Sequence, residues 1–155
     1  MDAVPAWSTN RLARLTSAPK RHLVEPALVG PLLGIDATSA LRDPDLLGRL
    51  LDSFVLAQLR PELTVSEHAP RLYHLRQREG RREIDLIVEF ADARIIGIEV
   101  KAAATVTRSD ARHLLWLRDQ LGERLVCGLV LHAGPHSYPL DERIHAAPIC
   151  SLWTS

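Results

Sequence analysis

The sequence predicts a mixed α/β fold, a central mixed sheet with helices on its faces. Three observations point there. A long apolar stripe at helical spacing follows Asp43-Pro44. Two segments rich in Ile, Val and Leu, 82–90 and 94–100, are separated only by Ala91-Asp92-Ala93. A second amphipathic stretch, 109–121, then leads into the apolar run 125–132.

Residues 1–40 are punctuated by Pro5, Pro19, Pro26 and Pro31. We expect a strand or turn near 6–10 and a short helix near 27–33. Asp at N-cap with Pro at N1 makes Asp43-Pro44 a strong helix start. Leu46, Leu47, Leu50, Leu51, Phe54 and Val55 form its apolar face, and the helix is predicted to stop before Pro61. A strand over 71–78 should end at a turn formed by Glu79-Gly80. The short gap at Ala91-Asp92-Ala93 predicts that 82–90 and 94–100 pair as an antiparallel hairpin. Ser109-Asp110 should open the second helix and Gly122 close it. A last short strand is expected near 149–153.

The chain has 155 residues, 46% of them apolar, which suits one domain with a sizeable core. No apolar run reaches the roughly 18–20 residues a membrane helix needs. The first residues lack the charged and apolar regions of a secretory signal. Cys127 and Cys150 do not form a C-x-x-C pair, which points to a reducing cytoplasm and away from a cysteine zinc site. Nineteen basic residues balance nineteen acidic ones, so any nucleic-acid surface must be local. Lys20 and Lys101 are the only lysines; every other basic side chain is Arg. A lysine kept in such a chain suggests a role arginine cannot fill.

The hairpin carries the candidate chemistry. With its loop centred on Asp92, Asp85 lies opposite Glu99, and Lys101 falls on the same side two residues on. Facing carboxylates repel, and a divalent cation would use both as hard oxygen ligands. Lys101 would project beside the cation, placed to handle a water or a developing phosphate charge. The alternative is that Glu-x-Lys marks a solvated edge strand. The apolar opposite faces, Leu86, Val88, Phe90 and Ile96, Ile98, Val100, argue for central strands instead.

Glu83-Ile84-Asp85-Leu86-Ile87-Val88 followed by Gly97-Ile98-Glu99-Val100-Lys101-Ala102 resembles the D…ExK core of the PD-(D/E)XK nuclease superfamily. More narrowly, the chain resembles the C-terminal domain of bacterial and archaeal AAA-type ATPases, domain-of-unknown-function family 4143. Pro5-Ala6-Trp7-Ser8-Thr9-Asn10, Leu47-Gly48-Arg49-Leu50-Leu51-Asp52-Ser53-Phe54-Val55 and Leu115-Trp116-Leu117-Arg118-Asp119-Gln120-Leu121-Gly122 carry the rest of the likeness.

That resemblance implies a restriction-endonuclease-like αβββαβ core over 41–155, preceded over 1–40 by the end of a winged-helix region. It implies a Mg²⁺ or Mn²⁺ site of Asp85 and Glu99, with Lys101 at the water. Asp52 would stand where relatives carry a Glu; the alternative for Asp52 is an exposed helix position. Ile84 replaces the superfamily's Pro. No G-x-x-x-x-G-K-[ST] is present, so the chain carries no P-loop for ATP, and it resembles a detached C-terminal domain. Arg76, Arg78, Arg81 and Arg82 are candidate phosphate contacts, against the reading of a solvated turn.

His68, His74, His113, His132, His136 and His145 are scattered without ligand spacing, and His132 is expected to cap a strand near the surface. Trp116 and Trp153 are expected in core or interface positions, and Ser53 and Cys127 lack an adjacent base. The expected function is binding or cleaving DNA; the rival is a non-catalytic module for DNA or a partner ATPase. An exposed apolar patch at Val4, Trp7, Leu12 and Leu15 is expected to favour self-association.

Overall fold

A computed structural model describes residues 1–77 and 81–153. Two-residue periodicity in the middle of the chain produces its central sheet. Strands β3 (Arg71–Arg76), β4 (Glu83–Glu89) and β5 (Ile95–Lys101) form an antiparallel meander. Helix α5 (Arg112–Leu121) then crosses over to β6 (Leu125–His132), which pairs parallel to β5. Strands β7 (Tyr138–Asp141) and β8 (Ile144–Pro148) complete a six-stranded sheet of order β3-β4-β5-β6-β8-β7. The expected mixed α/β class is therefore present, and β4 and β5 are interior strands.

Alternation along these strands sorts side chains to two faces. Ile87, Ile95 and Val130 pack with Leu114, Leu115 and Leu117 of α5. Leu86, Val88, Ile98, Val100 and Leu131 pack with Val55 and Leu56 of helix α4 (Pro44–Val65). Gly97 and Gly128 sit under α5. A Cβ on Gly97 would stand 2.7 Å from Leu114 Cδ2, and one on Gly128 2.5 Å from Ile144 Cδ1. Glycine there lets the crossover helix seat closely on the strands.

The start of α4 is as expected: Asp43 Oδ1 accepts from the Asp45 and Leu46 amides. Its end is not. The helix runs through Pro61 to Val65. Proline forfeits one helical hydrogen bond, yet Leu59 and Leu63 still pack on the second core, so burial outweighs that loss.

Helix α5 starts after Ala111 rather than at Ser109-Asp110, because Asp110 Oδ2 instead caps a preceding turn by accepting from the Thr107 amide at 2.7 Å. The expected strand at 149–153 is a 3₁₀ turn, Ile149–Leu152, and the strands lie just before it, in β7 and β8. Pro139 is tolerated because β7 is an edge strand. His132 is not a surface cap. It is 1% exposed, with Nδ1 accepting from Gly134 N at 3.0 Å and Nε2 3.1 Å from the His136 carbonyl.

The first forty residues pack on the β3 edge of this sheet and on α4. Strands β1 (Asp2–Val4) and β2 (Lys20–His22) pair antiparallel, with Val4 opposite Lys20. Ala6 bridges His74 on the β3 edge, and Asn10 caps α1 (Arg11–Thr16). A 3₁₀ turn at Pro26–Leu28 leads into the expected short helix, α2 (Val29–Leu33), followed by α3 (Ala37–Arg42).

The expected apolar patch is split: Val4 and Trp7 are buried in the two cores, whereas Leu12 and Leu15 are exposed. Arg14 does the pinning. Its Nη2 donates to Glu89 Oε1 at 2.9 Å and its Nε to the Ser8 carbonyl at 2.6 Å, and the guanidinium lies 5.2 Å from the Trp7 ring centre and 5.0 Å from that of Tyr73. No helix of the described residues is long and apolar enough to cross a membrane.

Candidate metal centre

Two local features aim Asp85. The hairpin register runs from Glu89↔Ile95 to Leu86↔Ile98, which by extension sets Asp85 against Glu99. On its other side β4 is bulged: Tyr73 pairs with Ile87 but Leu75 with Ile84. A bulge re-aims the side chains beside it. Asp85 Oδ2 accepts from the Val100 amide at 3.0 Å, beyond the last ladder pair, and leaves Oδ1 for other partners.

Glu99 lies on the α5 face and is 4% exposed. Lys101 Nζ donates to its Oε2 at 3.1 Å. Glu99 Oε1 has no hydrogen-bond partner and faces His113 Nδ1 at 3.5 Å. His113 Nδ1 donates to the Glu83 carbonyl at 2.6 Å, and Arg112 Nε donates to Nε2 at 3.1 Å. These partners fit a neutral imidazole, and burial lowers the His113 pKa, so His113 adds little positive charge. Burial first, and the Asp85 charge second, push the Glu99 carboxyl up to about 7.

The third carboxylate comes from the opposite face. Asp52 stands on α4 and is raised to about 6, again by burial and then by Asp85. It is half-buried, not an exposed helix position. Sequence reasoning missed its principal partner. Lys20 Nζ donates to Asp52 Oδ2 and to Asp85 Oδ1, both at 3.0 Å, and stands 4.0 Å from Glu83 Oε1. Burial works to lower the Lys20 pKa, but Asp85 and Asp52 outweigh it and raise it, so the ammonium stays charged.

The β1–β2 pairing holds Lys20 in place, and Ser53 Oγ accepts from the Leu23 amide at 3.2 Å. Buried His22, pushed down to about 4 by burial and then by Lys20, is neutral behind it. Both lysines of the chain thus lie in this one cluster. Their rarity was the only sequence signal for Lys20.

Among the described residues, no group of three or more His, Cys, Asp or Glu is arranged to cage a metal ion. Magnesium, however, is commonly held by one or two carboxylates, with water and substrate phosphate supplying the rest. Asp85 and the unpartnered buried oxygen of Glu99 fit that requirement.

The arginines are only partly gathered. Arg76 Nε is 3.8 Å from Glu83 Oε2, and the Arg82 guanidinium lies 5.2 Å from the centre of the Trp116 ring. Arg81 is exposed; Arg78 and the Glu79-Gly80 turn lie outside the described residues. Arg76, Arg81, Trp7 and Trp116 line an open groove of about 650 Å³. Trp116 is half-buried against the first core, and Trp153 is half-exposed, packed edge-on against Phe54 at 5.5 Å.

The chain is thus a mixed α/β domain with three carboxylates and two lysines gathered at the ends of its interior strands. The model of a domain of unknown function, DUF4143, matches residues 47–152, and the chain belongs to that family. No curated protein matches it.

Proposed function

We propose that this is a nuclease-like domain that binds DNA and hydrolyses its phosphodiester bonds with Mg²⁺ or Mn²⁺, as its resemblance to PD-(D/E)XK nucleases suggests. The observation that carries this reading is the buried, unpartnered Glu99 Oε1 beside Asp85 and Lys101. A buried anionic oxygen without a partner is costly, and a cation would satisfy it. Asp85 and Glu99 would hold the ion, with Asp52 completing the negative charge on the α4 side. The cation supplies charge for the phosphate and lowers the pKa of water. Lys101 keeps the Glu99 oxygen oriented and presents a donor to the reacting phosphate oxygens. The groove lined by Arg76 and Arg81 offers cations to a nucleic-acid strand.

Cleavage of single-stranded, duplex and branched DNA with Mg²⁺ or Mn²⁺ tests this reading. Lys101→Ala should lose about 10²–10⁴ in rate while keeping metal affinity. Asp85→Asn should lose both. Wild type and Lys101→Ala equally inactive on every substrate would remove catalysis from the account.

The second reading is an interaction module for DNA, a partner ATPase or a second copy of the chain. Lys20 favours it, because the cluster carries its own counter-ion in Lys20.

A further inference from the structure

Two carboxylates on different elements, Asp52 on α4 and Asp85 on β4, meet around one Lys20 nitrogen at equal distances of 3.0 Å. Asp85 Oδ2 is already satisfied by Val100 N, so Oδ1 is the oxygen Asp85 would offer a cation, and Lys20 holds it. Next to this pair, Glu99 is 4% exposed and its Oε1 has no hydrogen-bond partner. Asp52 and Asp85 are therefore neutralised by Lys20, while Glu99 is paired with Lys101 through Oε2 only and keeps Oε1 without a hydrogen bond.

We propose that the Lys20 ammonium is a resident cation of the cluster, competing with a divalent ion for Asp52 and Asp85, so that removing its charge opens a tighter divalent-cation site. Two positive charges cannot share those oxygens at contact distance without strong repulsion. The lysine is tethered, so its local concentration is high and it leaves only when β2 shifts or its side chain turns outward. With Lys20 withdrawn, Asp52 Oδ2 and Asp85 Oδ1 would be left facing the position its nitrogen occupies, free for a divalent ion. The inference rests on the cation part of the proposed function and adds a residue that sets metal affinity.

Calorimetric titration with Mn²⁺ tests it, on wild type, Lys20→Met and Lys20→Arg. Lys20→Met should bind Mn²⁺ at least about tenfold more tightly than wild type, the direction expected when one competing unit charge is removed. Lys20→Arg keeps the charge and should stay within a few-fold of wild type. Asp85→Asn in the Lys20→Met background should erase the gain.

Lys20→Met also leaves two carboxylates unpaired, so thermal melting gives a second readout. Mn²⁺ should raise its melting temperature more than it raises that of wild type, including when the variant is poorly folded without metal. Equal or weaker Mn²⁺ binding by Lys20→Met, no larger thermal shift, or a gain that survives Asp85→Asn would each overturn the proposal. Tighter metal binding without DNA cleavage would sink the nuclease reading and leave this one standing. Cleavage with unchanged metal affinity in Lys20→Met would do the reverse.

Discussion

Glu89→Ala should cost about 3–5 kcal/mol of folding stability, the range for breaking a buried ion pair from one side. Arg14 and Glu89 side chains are 12% and 13% exposed, so solvent gives the abandoned guanidinium little help. Glu89 also accepts from Trp7 Nε1 at 3.2 Å, and that bond is lost with it. Glu89→Gln should cost less, because it keeps an oxygen for Trp7. The midpoint and slope of urea unfolding check this. A loss under about 1 kcal/mol, the range of an exposed pair, would show that this contact does not hold the first residues to the sheet.

Glu99→Gln is expected to stabilise the metal-free protein in mildly alkaline solution. The folded Glu99 carboxyl sits near 7, above its ordinary 4.5. For an acid with a raised folded pKa, the unfavourable ionised form is avoided below the unfolded value. Stability is then lost as pH rises from about 4.5 through about 7. That loss is on the order of 3 kcal/mol for Glu99, and Gln does not incur it. The stability difference, Glu99→Gln minus wild type, should therefore grow between pH 4.5 and 7 and level off above. Mn²⁺ at pH 8 should narrow it by stabilising wild type. A difference that is flat with pH would mean that Glu99 is already well compensated by Lys101.

The central hairpin was legible because its physics is local. Alternation placed Leu86, Val88, Ile98 and Val100 together, and the spacing about Asp92 set the register from Glu89↔Ile95 to Leu86↔Ile98, whose extension points Asp85 toward Glu99. Asp52 was legible only through family resemblance, since nothing local says that an α4 aspartate meets the far end of a strand.

Lys20 was not read as part of the site. It lies 32 residues from Asp52 and 65 from Asp85, and it reaches them through the β1–β2 pairing, a tertiary arrangement with no periodic signature. Arg14 was missed for the same reason, its partner Glu89 being 75 residues away. Pro61 misled, and Pro139 carried no reading of its own. Packing of Leu63 carries α4 past the first, and the sheet edge accommodates the second.

Calorimetric titration of the unmodified chain with Mn²⁺, alongside Asp85→Ala, probes the cation site itself. One saturable site is expected in wild type, weakened by Lys20 but measurable, and no binding in Asp85→Ala, which removes an oxygen ligand of a hard cation. Equal binding by the two proteins would place the ion elsewhere, and no binding by either would contradict a cation site at Asp85 and Glu99.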